Sequence, residues 1–520
     1  MIIRSPYPDL DIPDVPLTEY VFEHVERHGD RPALIDGATG EVTTHRALRR
    51  RVDAAAAGLA ERGIGHGDVV GIYSPNLPDY AVAFLAVARA GAVNTTANGL
   101  YGVEELTFQL RDAGARMLVT HPALADRALP AAAAVGIDAI VAFGEVEGAE
   151  PFASLLGDGP VPAPPIDSAT DTVSLPYSSG TTGLPKGVRL THRNLIANVH
   201  QLEPILELGP DDIVMGVLPF FHIYGQTIVM AAGLRAGAAI ITMPRFDLQQ
   251  YLTLIQEYRA TRLFVAPPLV VAFAKHPLVE GYDLSSLRHI MSGAAPLDAE
   301  LAGEAGRRIG CRIVQGYGMT EASPVLTCAS AFGEDRPGTV GPLVGSTEGR
   351  IVDPETGRDV EPGQPGELWA RGPQVMPGYL GNDEATAATI VNGGWLRTGD
   401  IATADGDGWI TIADRLKELI KVKGYQVAPA ELEALLLTHT AIADACVIPV
   451  PDDEAGERPK AFVVLRGEAE PADIIAWMGE RAAPHKRLVG VEIVDTIPKS
   501  ASGKILRRVL VERERARSAG

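Results

Sequence analysis

Residues 177–188 read YSSGTTGLPKGV. Four Ser/Thr hydroxyls, three glycines and one lysine stand together here between apolar segments. Backbone N–H groups and hydroxyls in such a turn can wrap phosphate oxygens, and Lys186 can neutralise them. The stretch is not a Walker A loop. That motif places Ser or Thr directly after its lysine to hold magnesium, and Gly187 stands there instead. Taken alone, the stretch is either a polar surface loop or a phosphate cradle, and its surroundings must decide.

The chain has 520 residues, 46% hydrophobic and 22% charged, an ordinary globular composition with length for roughly two to four domains. Its formal net charge is −20, which repels polyphosphate backbones and anionic bilayers, so neither nucleic acid nor a membrane is an expected partner. A bound nucleotide must then be held by local cations and backbone dipoles. Cys311, Cys328 and Cys446 are widely spaced, without a CxxC. They suit neither a disulfide framework nor a zinc site, and point to a reducing, cytoplasmic setting. The N-terminal MIIRSPYPDLDIP lacks a basic-then-apolar leader pattern. The longest apolar runs are broken by Arg89 and Arg235, too short or too charged to span a bilayer.

Apolar runs DVVGIYS (68–74), RMLVTH (116–121) and DAIVAFG (138–144) alternate with Ala-rich stretches such as 78–90, the pattern of α/β layers with parallel strands. Segment 145–170, rich in Pro, Gly and acidic residues, reads as a surface connection inside a large domain. Past residue 400 the texture changes. ADGDGWITIAD predicts a hairpin turning at Asp405-Gly406-Asp407-Gly408; no EF-hand spacing or terminal Glu follows, so a plain turn is expected, not a calcium loop. Next come a strand, a loop and a helix opening near Pro429, then β, β, helix, β and a basic tail over 441–520. The expectation is an α/β protein: a large multi-sheet N-terminal domain (1–414), a hinge (415–417) and a small mobile α+β C-terminal domain (418–520).

The loop is followed, in order, by LPFFHIYG (218–225), SGAAPL (292–297), QGYGMTEASPV (315–325), GELWARG (366–372), WLRTGD (395–400), ADRLKELIKVKGYQVAPAELE (413–433) and PKSASGKILRR (498–508). Over essentially the whole chain this series resembles adenylate-forming enzymes: acyl-CoA synthetases, peptide-synthetase adenylation domains and luciferases. The nearest resemblance is to 4-coumarate–CoA ligases. It implies the adenylate-forming fold and a two-step reaction using ATP, Mg2+ and coenzyme A. A carboxylate attacks the α-phosphorus of ATP and expels pyrophosphate; the CoA thiol then displaces AMP. Two anions must meet in the first step, so positive charge and fixed dipoles are needed where charge gathers.

The resemblance implies roles residue by residue. Ser178, Ser179, Gly180, Thr181, Thr182 and Lys186 would embrace the β- and γ-phosphates, with Thr182 and Glu321 on Mg2+, a cation that prefers oxygen. Gln315, Gly316 and Tyr317 would form the adenine slot, with Tyr317 stacked on the ring, and Thr320 would bond the α-phosphate. Asp400 would take the ribose hydroxyls, joined by Arg415. Lys504 would bridge the acyl carboxylate and the α-phosphate in the first transition state. For the second step the small domain would rotate about Lys417, bringing Lys421 to the site and Lys423 and Gly424 to the CoA tunnel. Arg245 would meet a CoA phosphate, and Gln426 falls at a position tied to activity. Read singly, Tyr317 could be a core aromatic, Asp400 a turn residue, Lys504 a basic-tail lysine and Lys423 part of a solvated charge run.

His222 resembles a gating aromatic beside the substrate carboxylate. Tyr224, Ala294, Ala295, Gly318, Pro324 and Val325 map to the wall of an aryl pocket. FHIYGQT holds no Asp, the residue that amino-acid-activating domains use for the substrate amine. A small apolar wall suits a neutral arylpropenoate such as cinnamate or 4-coumarate. Ser323 stands where the plant ligases have Gly, GQTIVMAAG differs from their pattern after HIY, and GELWARG lacks their central Cys. A medium-chain or other aryl acid, and a stand-alone adenylation enzyme loading a carrier protein, are the alternatives. FHIYG departs from the corresponding luciferase segment. Lys186, Glu321, Asp400 and Lys504 are all present, which argues against a degenerate binding module.

Overall fold

The computed structural model describes residues 2–518 apart from 179–184, 392, 416–417, 423–424, 453–454, 501–502 and 504; the side chains of 414–415, 425–426 and 518 are outside the description. Four sheets are found among the described residues. In the first, the strands run in the order Tyr177–Ser178, Lys186–Thr191, Thr172–Ser174, Val93–Thr96, Val69–Tyr73, Ala115–Thr120, Ala139–Ala142, Glu150–Pro151. Its centre is parallel, and the edge carrying the phosphate loop is antiparallel. The second sheet orders Val325–Cys328, Ile313–Gly318, His289–Ser292, Arg262–Val265, Ile213–Gly216, Ala239–Thr242, Pro32–Asp36 and Val42–Thr44. It is parallel except at its two ends. The three apolar runs at 68–74, 116–121 and 138–144 are strands of the first sheet.

Helix Pro78–Arg89 lies between these two sheets. Every residue from Tyr80 to Ala88 is buried, and one apolar cluster joins it to Val70 and Ile72 on one side and to Val214 and Ile240 on the other. A helix with a sheet on each flank must be apolar all round, which accounts for the run YAVAFLAVA. Helix His192–Leu206 follows the strand Lys186–Thr191 directly. Thr191 accepts from the N–H of Asn194, whose side chain accepts from the N–H of Thr191, a reciprocal cap.

The third sheet is antiparallel: Ile3–Arg4, Glu348–Val352, Gly366–Arg371, Trp395–Ala404, Ile390–Val391, with Ile410–Arg415 beside Trp395–Ala404. The expected hairpin is present, and Asp405 closes its turn by accepting from the N–H groups of Asp407 (3.0 Å) and Trp409 (2.9 Å). The fourth sheet holds Tyr425–Val427, Ile420–Val422, Gly456–Leu465 and Ile442–Asp452, with Gly490–Ile493 added. Helices Pro429–Leu437 and Pro471–Arg481 pack on it, through a core of their own that includes Leu432, Leu436, Val447, Ile474 and Met478.

Two expectations need correction. Segment 145–170 is more than a surface connection: Glu150–Pro151 extends the first sheet, and Phe152 and Leu155 are buried. Their apolar side chains were outvoted in the reading by the Pro and Gly around them. The basic tail is a helix, Arg507–Ser518. Leu510 anchors it against Cys446, Ile448 and Phe462, and Arg513 and Arg517 pair with Glu492. The three cysteines are buried and unbridged. No helix among the described residues is long and apolar enough to cross a membrane.

Candidate active site

The parallel strands of the second sheet carry SGAAPL and QGYG at their C-terminal ends, the edge where ligands settle in open α/β sheets. The strands that flank the YSSGTTGLPKGV loop form a two-residue ladder, Tyr177 opposite Gly187 and Ser178 opposite Lys186. A Cβ on Gly187 would stand 3.2 Å from the Tyr177 ring and 3.3 Å from Leu380, which explains why no Ser or Thr follows Lys186. Ser179, Gly180, Thr181 and Thr182 lie outside the described residues.

Ser178 and Glu321, 143 positions apart, are joined by a 2.9 Å bond from the Ser178 hydroxyl to Glu321 Oε1. The Tyr379 hydroxyl donates to the same oxygen, also at 2.9 Å. Burial and the Glu321 charge both push the Tyr379 phenol upward, so it remains a donor. Lys186 Nζ lies 5.1 Å from the centroid of the Tyr379 ring, within cation–π range. Glu321 is buried, and both hydroxyls hold Oε1, so Oε2 is not the atom they occupy. A single oriented carboxylate beside phosphates is the donor set Mg2+ takes, because this ion keeps several waters and uses one or two carboxylates. The described residues hold no cluster of three or more His, Cys, Asp or Glu suited to a metal. Tyr379 escaped the sequence reading. It lies in a Pro/Gly-rich stretch, and the pairing of Gly378–Tyr379 with Val188 and Arg189 brings it here.

Tyr317 donates its hydroxyl to Asp400 Oδ2 at 2.5 Å. Asp400 is 6% exposed, and its backbone N–H is held by Thr398 Oγ1 at 3.1 Å. Arg415 is the partner of Asp400 across the antiparallel ladder, but its side chain is outside the description. Behind them Glu367, buried in GELWARG, accepts from Trp369 Nε1, Arg397 and the Gly399 N–H. It holds the strand that presents Asp400, a role the sequence reading did not assign.

Gly318 is obligatory, since a Cβ there would lie 1.9 Å from the Pro324 carbonyl oxygen; at Gly316 a Cβ would meet the movable Met291 Cε at 2.3 Å and the Thr327 carbonyl oxygen at 3.3 Å. Gln315 is buried, and Thr320 and Tyr317 are half-buried. Ser323 adopts a left-handed φ of 69°, natural for Gly, and its hydroxyl donates to the Gln374 carbonyl at 2.8 Å. Pro324 and Val325 are buried, and both backbone polar groups of Val325 bond the Asn198 side chain. Asn194, Asn198 and Gln201 form a buried carboxamide stripe on one face of helix His192–Leu206. They also reach the carbonyls of Pro373, Val375 and Gly345.

Tyr224 opens a π-helical stretch, Tyr224–Ala231, a winding frequent at functional sites. Gly225 permits it, since a Cβ there would come 2.3 Å from the Pro219 carbonyl oxygen. The Tyr224 hydroxyl donates to the Met291 carbonyl at 3.2 Å, and Gly293 lies on its ring, where a Cβ would be 3.1 Å away. Burial drives the Tyr224 phenol well above its ordinary range. Ala294 is exposed at φ 71°, and Ala295 is half-buried beside it. His222 Nδ1 accepts the Tyr224 N–H at 3.2 Å, so the neutral ring carries its proton on Nε2. The loop bearing His222 is clamped by Asn76, which donates to the carbonyls of Gly216 (2.9 Å) and Leu218 (2.7 Å) and accepts from the Phe220 N–H (2.7 Å).

Lys499 pairs with Ile505, closing a turn whose Gly503 lies against Ala266 and Pro268; a Cβ on Gly503 would be 3.2 Å from Ala266 Cβ. These residues follow strand Arg262–Val265 at the same edge. Lys504 itself is outside the described residues, as are Lys417, Lys423 and Gly424. Lys421 is exposed on strand Ile420–Val422, with its N–H on Glu457 Oε2 at 2.9 Å and Gln426 opposite in the ladder. Arg245 is exposed just before helix Leu248–Tyr258, with no contact to these groups among the described residues.

Residues 21–380 match the family model described as AMP-binding enzyme, and 431–504 match the AMP-binding enzyme C-terminal domain. The chain is 47% identical to "4-coumarate--CoA ligase 5" of Oryza sativa subsp. japonica, covering 98% of this chain and 96% of that one. It is 44% identical to "4-coumarate--CoA ligase 2" of Petroselinum crispum at the same coverage. The crystal structure of an anthranilate CoA ligase in complex with anthranoyl-AMP superposes with a TM-score of 0.90 at 27% identity, over 98% of this chain and 99% of that one. With motifs, sheets and relatives in agreement, the chain belongs to the AMP-binding enzyme family and has the adenylate-forming fold.

Proposed function

We propose that the protein is an ATP-dependent, AMP-forming ligase that joins an arylpropenoic acid, of the cinnamate or 4-coumarate type, to coenzyme A. The observation that carries this reading is the convergence of Ser178, Lys186, Glu321 and Tyr379 on one side of the strand ends with Tyr317 and Asp400 on the other. One group suits a triphosphate and the other a nucleoside. Similarity to 4-coumarate–CoA ligases along nearly the whole chain supports the acid and the acceptor.

In the first step the Ser178 hydroxyl, Lys186 and the loop between them hold the β- and γ-phosphates, while Tyr317 and Asp400 hold adenosine. Glu321 and Thr182 would hold Mg2+, which would supply charge neutralisation on the phosphates. Thr320 donates to the α-phosphate. Nε2–H of His222 faces the acid end, and Lys504 offsets the charge shared by the acyl carboxylate and the α-phosphate. The carboxylate oxygen bonds to the α-phosphorus as the bond to pyrophosphate breaks. In the second step the small domain presents Lys421, Lys423, Gly424 and Gln426, and Arg245 receives a CoA phosphate. The thiolate bonds to the acyl carbon and AMP departs. Tyr224, Ala294, Ala295, Gly318, Pro324 and Val325 wall the aryl group. The domain division follows the same reading: 1–414, a hinge at 415–417, and 418–520. We place the enzyme in the cytoplasm.

The test is incubation with ATP, Mg2+ and cinnamate, 4-coumarate, caffeate, benzoate or octanoate, with and without CoA, following AMP and thioester. Thioester from cinnamate and 4-coumarate with little from octanoate is expected. Thioester from octanoate alone would overturn the acid, and adenylate that CoA cannot discharge would overturn the acceptor.

A further inference from the structure

Helix Pro267–Lys275 touches the C-terminal unit at both of its ends. At the first end Gly503 lies against Ala266 and Pro268. At the other, Lys275 Nζ donates to the Leu437 carbonyl at 3.4 Å. Nine residues at about 1.5 Å of rise separate the two contacts by roughly 13 Å. Leu437 is the last residue of helix Pro429–Leu437, where carbonyls lack partners and the helix dipole is negative. Arg466, from the same unit, serves two carbonyls slightly further on, those of His439 and Thr440. The cation for Leu437 comes from across the boundary. Capping of this one helix end is therefore divided between the two parts of the molecule.

The consequence rests on the two-step reading above. On that reading Lys504 acts at the acyl end during adenylation, yet a thiol must later reach the same acyl carbon, so the C-terminal unit has to move. A contact made in only one of its two positions biases that equilibrium by its own strength. We propose that Lys275 is a positioning residue that holds the C-terminal unit, through the Leu437 carbonyl, in the arrangement used for adenylation and lets it go for thioester formation. The hold is a weak one. Burial and the facing Arg466 guanidinium both lower the Lys275 ammonium, against the pull of Glu304 and Asp298. When the contact opens, Leu437 returns to water with Arg466 still capping its neighbours.

The experiment compares Lys275→Ala, Lys275→Arg and wild type in the two half-reactions separately. ATP–pyrophosphate exchange, which needs no CoA, reads adenylation; single-turnover thioester formation from the isolated enzyme–adenylate complex reads the second step. Lys275→Ala is expected to slow exchange by about 3–10-fold, the loss of one partly solvated charge-assisted hydrogen bond, with the second step unchanged or faster, and Lys275→Arg is expected to restore exchange. Because the native cysteines are buried, spin labels at Glu300→Cys and Glu468→Cys report the arrangement directly, and Lys275→Ala should depopulate the wild-type distance. An equal fall in both half-reactions, or unchanged exchange with an unchanged distance distribution, overturns the proposal. A wild-type enzyme that exchanges pyrophosphate but makes no thioester overturns the CoA reading while leaving the exchange and distance arms to decide on Lys275.

Discussion

The Tyr317 hydroxyl rests on Asp400 at 2.5 Å, so the ring expected to stack on adenine is bonded to the carboxylate expected to hold the ribose. The two halves of the proposed nucleoside site are one unit, built from residues 83 positions apart.

Tyr317→Phe keeps the ring and deletes the tie. A hydrogen bond to a charged group contributes about 1.5–3 kcal/mol, so KM for ATP should rise by about 10–150-fold, while KM for the acid stays put. Steady-state kinetics with each substrate varied will check it; an equal rise in both would contradict a role confined to the nucleoside.

Glu321→Gln keeps an oxygen for the Ser178 and Tyr379 hydroxyls but removes the charge. The thermal midpoint should move little, whereas adenylation should fall about 100-fold, the scale on which such electrostatic groups act, with part of the loss recovered at high Mg2+. Tyr379→Phe, which leaves the carboxylate charged, should cost far less. Pyrophosphate exchange across a Mg2+ titration distinguishes the two variants.

Asn76→Ala strips three partners from the segment 216–220 at once. Each buried group left unsatisfied costs about 1–3 kcal/mol, so a loss of several kcal/mol in urea unfolding is expected. Because that segment leads into His222 and Tyr224, KM for the acid should rise in whatever folded protein remains.

His45, His192 and His289 are buried, with pKa values lowered mainly by burial to about 4, 4 and 3 respectively. His192 must be neutral, because its Nδ1 accepts the Leu17 N–H at 3.0 Å. Their contribution to stability is complete above the ordinary value of 6.5. Below it the unfolded chain binds protons that the folded chain refuses, so stability falls as pH drops toward about 4, by about 1.4 kcal/mol per pH unit for each histidine. Urea midpoints at pH 7.5, 6 and 5 measure the slope. His289→Leu, at a ring whose Nε2 is buried without a hydrogen-bond partner among the described residues, should remove one of the three increments.

The sequence disclosed those parts of the site whose chemistry is local. A hydroxyl-rich glycine loop, a Gly-Tyr-Gly run and an acidic residue at a strand turn each announce themselves within a few positions, and the strands at 68–74 and 116–121 follow from uninterrupted apolar runs. Tyr379, Glu367, Asn76 and the carboxamides of helix His192–Leu206 were silent, because their importance lies in partners far away in the chain. Asn76 meets Phe220 across 144 positions, and nothing in NLPDY predicts it. Leu510 shows the same limit in the C-terminal helix: a three-residue Val-Leu-Val run among arginines and glutamates reads as part of a charged tail until Phe462 is seen beside it.

Helix Pro78–Arg89, enclosed by both large sheets, bears on how relatives could be recombined. Its nine successive buried side chains share one apolar cluster with strands of both sheets. A crossover placed inside residues 70–330 would therefore set an inherited helix against walls shaped for another. A crossover near residue 416 divides nothing of that kind, since the following unit brings its own apolar centre. Exchange of whole C-terminal units is the natural seam of this molecule, and the partner surface to be matched there includes Ala266, Pro268 and Lys275.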